Sequence, residues 1–260
     1  MKAVRLHEHG ALELEEIAVP SLGAGEALVR VHAAAITKDE LDWPTDRLPA
    51  IPSYELSGVV AGVAADVGDF AAGDAVYALA PFDRDGVAAE YAAVPAAFLA
   101  PKPHTLDHVA SAAVPMAGLT AWQGLFDHGA LEAGQRVVIN GAAGGVGHIA
   151  VQLARWRGAE IVSGGDGEEP DLVFDTAGGE VLAQSRGHKL VSVAEEQPGV
   201  TYFVVEPNRG QLVELARLVD DGVLRPEIDS VFPLAEARAA FGRVAERGKR
   251  GKVVLRVADD

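Results

Sequence analysis

The chain has 260 residues, a length that fits one large domain or two modest ones. Its 38 acidic and 22 basic residues give a net charge of −16, which disfavours binding to nucleic acid or to anionic membranes. Hydrophobic residues make up 49% of the chain, enough for a packed core, and the absence of cysteine excludes disulfides, thiolate nucleophiles and sulfur-ligated zinc.

The amino-terminal hundred residues have the pattern of short strands separated by turns. The first segment begins at residue 2, with no apolar stretch typical of a secretion signal before it, so we expect a cytoplasmic protein. Turns rich in Gly, Pro and Asp separate the predicted strands. These cover residues 2–6, 12–17, 27–33, 56–63, 75–80 and 88–94. Short strands at this spacing predict a small β-barrel or sandwich.

From about residue 107 the pattern changes to strands alternating with helices. Apolar residues at positions 146, 149, 150, 153 and 154 mark one face of a helix. The other predicted helices cover residues 107–113, 119–127, 212–219 and 234–244, and the predicted strands cover 136–140, 160–163, 171–175, 189–194, 201–206 and 252–257. This alternation predicts a parallel α/β sheet.

A glycine-rich segment, Gly-Ala-Ala-Gly-Gly-Val-Gly at residues 141–147, follows one predicted strand and opens a predicted helix. In a dinucleotide-binding turn, Gly144 would let the backbone approach a pyrophosphate and Gly147 would let the helix pack closely on the strand. The free N–H groups of Gly145 and Val146 would then face the phosphates. The alternative is a purely structural corner, but the position between strand and helix favours cofactor binding.

Several segments occur together with this turn: Leu-Thr-Ala-Trp-Gln at 119–123, Gly-Gln-Arg-Val-Val-Ile at 134–139, Val-Gln-Leu-Ala at 151–154 and Arg-Gly-Lys-Val-Val-Leu at 250–255. In combination they resemble the medium-chain dehydrogenase/reductase superfamily, and within it the zinc-free quinone oxidoreductase (zeta-crystallin-like) branch. The resemblance implies an α/β fold with a GroES-like β-barrel substrate domain, residues 1–110 and 224–260, and a Rossmann doubly wound parallel sheet, residues 111–223. It also implies NADPH-dependent reduction of a small hydrophobic quinone or α,β-unsaturated carbonyl in the cleft between them, by a homodimer.

The resemblance also bears on metal binding. Zinc-dependent members place a cysteine where this chain has Thr37, and a His-Glu pair where it has Tyr54 and Glu55. Such a site offers one good ligand instead of the three that a catalytic zinc needs, and the eight histidines show no paired spacing. We therefore expect no metal.

The resemblance points to two catalytic candidates and one phosphate-binding candidate. Tyr54 takes the place of the lost histidine, where its hydroxyl would meet a substrate carbonyl; the alternative is a tyrosine packed in a turn. Lys38 and Asp39 stand where family members hold cofactor-contacting and proton-relay residues, and Lys38 would pair with a cofactor phosphate. The alternative for both is a solvated helix start.

Three further residues are candidates for cofactor contact. Thr120 matches a residue near the nicotinamide, and the alternative is a hydroxyl bonded to the carbonyl four residues earlier in its helix. Phe203 resembles a residue of the segment that brackets the nicotinamide, and the alternative is a core strand. Ser163 ends the second Rossmann strand, at the adenosine end. NADP is the expected cofactor, with NAD as the alternative.

The chain departs from the family pattern after this second strand. Only residues 164–170 separate it from the strand at 171–175, although a crossover with a helix takes a dozen residues or more. Seven extended residues reach about 25 Å and the return needs roughly 20 Å, so only a nearly taut link fits. We expect a Rossmann domain that lacks its third strand and flanking helices, with a weaker hold on adenosine.

No lysine or arginine follows the second strand to meet a 2′-phosphate, and Asp166 would instead favour NAD by accepting from a ribose hydroxyl. A solvated loop is the stronger alternative for this acidic run. Three functions stay open: the reductase, a reductase-like fold that has lost the redox step and keeps the cleft for non-redox catalysis or ligand binding, and an interaction protein with a bare sheet edge. The intact glycine motif favours the reductase.

Overall fold

A computed structural model describes residues 1–43, 46–163, 169–246 and 248–259. The fold is α/β, as predicted. Its strands are Lys2–Leu6 (β1), Leu12–Glu16 (β2), Glu26–Ile36 (β3), Glu55–Val63 (β4), Ala75–Leu79 (β5), Tyr91–Pro95 (β6), Ala100–Pro101 (β7), Arg136–Asn140 (β8), Glu160–Ile161 (β9), Leu172–Asp175 (β10), Lys189–Ser192 (β11), Thr201–Tyr202 (β12), Ile228–Pro233 (β13) and Lys252–Arg256 (β14). Its α-helices are His108–Ala112 (α1), Pro115–Trp122 (α2), Gly147–Arg157 (α3), Gly179–Gln184 (α4), Arg209–Asp220 (α5) and Ala237–Ala245 (α6).

The amino-terminal strands and the last two strands form one mostly antiparallel sheet, in the order β13-β14-β3-β4-β5-β7, with β6 also paired to β3. Strand β14 lies antiparallel to β3, with Val254 opposite Ala35. The β1–β2 hairpin and helix α6 contribute to the same hydrophobic core. The carboxyl-terminal segment therefore completes the sheet that the first hundred residues begin.

The middle of the chain forms a second sheet, in the order β12-β11-β10-β8-β9, whose strands are all parallel. Within the described ranges, β9 is the outermost strand on its side, in agreement with the predicted loss of the third Rossmann strand. The strands at its two edges, β9 and β12, are short, with two residues each. The predictions of strands over 160–163 and 201–206 were therefore too long.

The sequence patterns did not predict β7, β13 or helix α4, and they placed the start of helix α2 too late. Strand β13 is half-exposed, so its alternation is weak, and it forms by pairing with β14. Helix α4 has six residues and one buried side chain, too few for a periodic pattern. Helix α2 starts at Pro115, four residues before its predicted start, because proline is favoured in the first helical turn.

The two sheets share packed contacts. A second hydrophobic core combines residues of the parallel sheet with Tyr54, Tyr77 and Leu79 from the first sheet. The buried Tyr77 hydroxyl donates to the Leu212 carbonyl across the boundary. The domain limits at residues 110 and 224 remain a prediction. No helix in the described part of the chain is both long and apolar enough to cross a membrane.

Candidate active site

A cleft of about 740 Å³ opens between the two sheets. One wall consists of residues 141–146 and of residues that follow β10 and β11, including Thr176 and Ala194. The opposite wall consists of the end of β3 and the start of β14, with Thr37 and Lys252. A crevice at the carboxyl ends of parallel strands is the usual ligand site in open α/β sheets.

The predicted cofactor residues Gly144, Gly145 and Val146 line this cleft. A Cβ added to Gly144 would meet only the Gly141 carbonyl oxygen, at 3.2 Å, whereas a Cβ on Gly147 would lie 2.1 Å from that oxygen. Gly147 is thus required for packing, and Gly144 keeps the cleft wall free of a side chain. Because helix α3 begins at Gly147, its positive end faces the same space. This geometry fits the diphosphate of a nicotinamide nucleotide.

Three polar side chains fix the carboxyl ends of neighbouring strands beside this turn. The buried Asp175 carboxylate accepts from Asn140 Nδ2 at 3.0 Å and from Ser192 Oγ at 2.9 Å. It also accepts from the Gly178 N–H at 3.0 Å, which fixes the loop after β10. The sequence analysis missed this network. Its signal was the polar residue that ends each of β8, β10 and β11.

The position of the family's metal holds a buried ion pair. The Lys252 ammonium contacts the Glu55 carboxylate, and the two side chains are 6% and 0% exposed. Lys252 Nζ also donates to Thr37 Oγ1 at 3.1 Å, and Glu55 accepts from the Met116 N–H at 3.0 Å. The one good metal ligand is therefore engaged by a cation, so these residues do not fit a catalytic zinc. In the sequence, Lys252 is noticed only as part of the Arg-Gly-Lys-Val-Val-Leu segment at residues 250–255.

A neighbouring carboxyl group anchors the segment that leads into the cleft. Glu40 is buried and accepts from the Thr37 N–H at 3.0 Å and from the Ser53 N–H at 2.9 Å. Burial raises the pKa of Glu40 to about 8, against the lowering effect of these bonds and of the Lys252 charge. Glu40 is therefore mostly uncharged at neutral pH.

The two predicted catalytic residues lie in different environments. Tyr54 is buried, and its ring stacks on Trp43 with ring centroids 5.7 Å apart. The ring of Phe82 packs edge-on against it, with centroids 5.2 Å apart. Trp43 lines the cleft, whereas Tyr54 is not among its lining residues, and burial raises the pKa of the tyrosine hydroxyl. Asp39 is exposed on the cleft wall, 3.5 Å from Lys38 Nζ. Their catalytic roles remain predictions.

The remaining predicted cofactor residues are spread more widely. Thr120 is buried and its hydroxyl donates to the Met116 carbonyl at 2.6 Å, which is the alternative considered for it. Phe203 is buried against His128, with ring centroids 4.3 Å apart, whereas its neighbour Tyr202 lines the cleft. Ser163 is exposed just beyond β9. Asp166 lies outside the described residues.

A buried histidine ties the glycine-rich turn to the carboxyl-terminal segment. His148 Nδ1 lies 2.9 Å from the Gly144 carbonyl oxygen, and Nε2 accepts from the Glu227 N–H at 3.0 Å. This pair of bonds requires a neutral ring that carries its proton on Nδ1. Burial lowers the pKa of His148, which keeps the ring neutral.

Potential metal ligands also occur outside the cleft. Among the described residues, the group of three or more close enough to share an ion is His7, Glu13 and Glu15 on the β1–β2 hairpin. Exposed acidic groups of this kind are common without a metal, and the ring of His7 is already 2.5 Å from the Glu15 carboxylate.

Comparisons with known proteins agree with this architecture. Residues 23–104 match the family model described as "Alcohol dehydrogenase GroES-like domain", and residues 152–255 match the one described as "Zinc-binding dehydrogenase". The chain is 32% identical to a "Probable zinc-binding oxidoreductase, mitochondrial" of Arthroderma benhamiae, with 95% of this chain and 92% of that protein covered. It is 29% identical to an "NADPH-dependent alkenal/one oxidoreductase, chloroplastic" of Arabidopsis thaliana, with 98% of this chain and 79% of that protein covered.

Solved structures show the same relationship. The quinone oxidoreductase of Coxiella burnetii superposes with a TM-score of 0.88 at 26% identity, covering 99% of each chain. The glycine-rich turn, the cleft and the shared fold confirm the predicted family and fold class. The chain thus belongs to the medium-chain dehydrogenase/reductase superfamily of oxidoreductases, in its quinone-oxidoreductase-like branch.

Proposed function

We propose that the protein is a zinc-independent NAD(P)H-dependent reductase of quinones or α,β-unsaturated carbonyl compounds. The observation that carries this proposal is the Lys252–Glu55 ion pair, which occupies the family's metal position on the wall that faces the glycine-rich turn. The names of its relatives, which include alkenal/one and quinone oxidoreductases, support the proposed substrate class.

The chain's own residues would hold the nucleotide at its phosphates. The N–H groups of Gly145 and Val146 and the positive end of α3 stabilise a diphosphate. Lys38, Lys249 and Lys252 line the same cleft. When bound, the reduced nicotinamide would supply a hydride to the acceptor. Of the described residues around the end of β9, Val162, Ser163 and Glu169 offer no positive charge to a 2′-phosphate, so they give no basis for choosing NADPH over NADH.

The opposite side of the cleft suits a small apolar acceptor. Ile36, Trp43 and Val253 provide apolar surface, and Thr37 is the hydroxyl on that wall that Lys252 holds. The Thr37 hydroxyl also donates to Glu55 Oε1 over a long distance of 3.4 Å. We propose that the hydroxyl leaves this bond to donate to the substrate oxygen. Hydride addition would leave a negative charge on the product that one proton from water would neutralise, and Asp39 is exposed on the cleft wall.

The tapered sheet favours a second candidate function, a cleft that binds a small molecule without redox chemistry. Strand β9 has only two residues, so the described residues there offer little surface to the adenosine end of a dinucleotide. This candidate predicts that the protein binds hydrophobic carbonyl compounds and shows no affinity for either nucleotide.

A binding and turnover experiment separates the two functions. The purified protein is titrated with NADPH and NADH, followed by nucleotide fluorescence, and turnover is assayed with 1,4-benzoquinone and methyl vinyl ketone. We expect binding of nucleotide and consumption of both acceptors, unchanged after dialysis against EDTA. Loss of turnover on dialysis, with recovery on added zinc, would overturn the zinc-independent mechanism. Absence of nucleotide binding would overturn the reductase.

We also propose that the protein is a cytoplasmic homodimer. The exposed side chains of Tyr202 and Val204, on and beside the edge strand β12, support pairing of two copies at this edge. Light scattering tests the dimer, with twice the 27.1 kDa chain mass as the expected result.

A further inference from the structure

The side of the parallel sheet that would hold adenosine is reduced. In doubly wound dinucleotide folds, residues that follow the second strand contact the adenosine ribose. Here the second strand is β9, Glu160–Ile161, and ten residues separate it from β10, which begins at Leu172. A parallel crossover usually takes a dozen residues or more, and an additional strand would need two of them. The described residues around the end of β9, Val162, Ser163 and Glu169, offer little surface with which to recognise an adenosine.

The end of the same cleft that would hold the phosphates is lined by several lysines. Lys38, Lys249 and Lys252 all line it together with the glycine-rich turn, in a protein whose net charge is −16. Lys252 is paired with Glu55, and the exposed Lys38 lies 3.5 Å from Asp39. Within the described residues Lys249 makes no ion pair at 4.0 Å or less. It is therefore the ammonium left to meet an anion in the cleft.

The electrostatic surroundings of Lys249 agree with this assignment. Burial lowers the pKa of Lys249, and the positive charges of Lys38 and Lys252 lower it further, whereas the carboxylates of Asp229 and Asp39 act in the opposite direction. Neither carboxylate forms an ion pair with Lys249 at 4.0 Å or less, so the like charges at this partly buried position are compensated only at a distance. A phosphate in the cleft would relieve this repulsion.

We propose that the cleft recognises the nicotinamide ribose phosphate portion of its cofactor and is indifferent to the adenosine portion. NADPH, NADH and reduced nicotinamide mononucleotide would therefore all serve as hydride donors. In each case the dihydropyridine ring would give up a hydride and become the pyridinium, the acceptor would take that hydride, and one proton from water would complete the two-electron reduction. This inference rests on the proposed function, since it names the part of the cofactor that the same site uses.

Equilibrium binding of the three reduced nucleotides tests the inference directly. We expect dissociation constants for NADPH and NADH within about threefold of one another, and for the mononucleotide within about tenfold, where tenfold corresponds to about 1.4 kcal/mol. Nicotinamide mononucleotide should displace NADPH, whereas adenosine 2′,5′-bisphosphate should displace it at least about tenfold more weakly. Turnover of 1,4-benzoquinone with each donor is measured in parallel.

Two variants locate the effect. Lys249→Gln should weaken all three nucleotides by the same factor, about tenfold, because the lost contact is to the phosphate that they share. Lys189→Gln is the matched control. Lys189 is the first residue of β11, whereas the residues that follow the last residue of this strand line the cleft. It should leave all three dissociation constants unchanged.

The outcomes distinguish the inference from the function beneath it. A preference above about thirtyfold for either dinucleotide over the mononucleotide, with quinone turnover intact, would show that the chain recognises adenosine and would overturn the inference alone. A Lys249→Gln effect on NADPH but not on the mononucleotide would overturn it as well. Failure of every nucleotide to bind would overturn both the inference and the proposed function.

Discussion

Lys252 and Glu55 form an ion pair in the interior, although they lie on strands that the chain brings together from its two ends. The pair joins β14 to β4 at the cleft, and Lys252 also reaches Thr37 on β3's continuation. It places an ammonium and a carboxylate that neutralise one another at the wall of the cleft. Burial of two charges is tolerated because the carboxylate and the ammonium each have further hydrogen-bond partners.

Lys252→Met is expected to lower the free energy of unfolding by about 3–5 kcal/mol, because it leaves the Glu55 carboxylate buried without its cation. Adding Glu55→Gln to this variant should restore part of the loss, since the amide oxygen still accepts from the Met116 N–H. Urea denaturation of the two single variants and the double variant measures the coupling. Lys38→Met, which removes an exposed pair, should cost less than about 1 kcal/mol. Strict additivity would show that the buried pair is not coupled.

Gly144→Val should abolish nucleotide binding while the protein stays folded. Its side chain would stand on the cleft wall where the phosphates are proposed to lie, and its Cβ would meet only the Gly141 carbonyl oxygen, at 3.2 Å. Titration with NADPH and circular dichroism of the variant are the measurements. Gly62→Val is the control, because an added Cβ there meets nothing within 4 Å and the residue lies on β4. Unchanged affinity in Gly144→Val would mean that the turn is not the phosphate site.

Acid should destabilise the protein through His148. Its pKa is lowered in the folded state, so below about pH 6.5 the unfolded chain binds the proton first and the free energy of unfolding falls as the pH falls. A His148→Gln variant lacks this titration. The stability difference between wild type and variant should therefore shrink between pH 7 and pH 5 in urea titrations. A His9→Gln control, at an exposed position, should keep the wild-type pH dependence, and a constant difference for His148→Gln would contradict the assignment.

Two hydroxyl variants test which group meets the substrate oxygen. Tyr54→Phe should change kcat less than about threefold, because the ring is buried among aromatic neighbours, whereas Thr37→Val should lower it at least about tenfold. Steady-state kinetics with 1,4-benzoquinone and methyl vinyl ketone are the measurement. A loss of about a hundredfold in Tyr54→Phe alone would instead establish the catalytic role that its position in the sequence predicted.

The sequence predicted those structural elements whose residues lie close together along the chain. The glycine-rich turn and helix α3 follow from spacing within about thirty residues, and the structure contains both. The predicted loss of the third Rossmann strand agrees with the place of β9 as the outermost strand in the described ranges. Phe203 could not be placed from spacing, because the direction of its ring is set by packing against His128. The bond from Thr120 to the Met116 carbonyl, four residues earlier, is the local alternative that the sequence offered.

The polar groups of the cleft depend on contacts between distant positions. Lys252 bonds Thr37 across 215 positions of the chain, and Asn140 bonds Asp175 across 35. The periodicity of the sequence does not predict these long-range hydrogen bonds. The only indication of them is the residue type: a lysine in an apolar strand, and polar residues where buried strands end.

The pairing of β14 with β3 has a consequence for biosynthesis. The cleft combines residues such as Thr37, which are translated early, with Lys252, which is translated only after the whole parallel sheet. During synthesis the nascent chain carries Glu55 without its cation until residue 252 has emerged from the ribosome. The buried Lys252–Glu55 pair can therefore form only after the strands of the parallel sheet have been made.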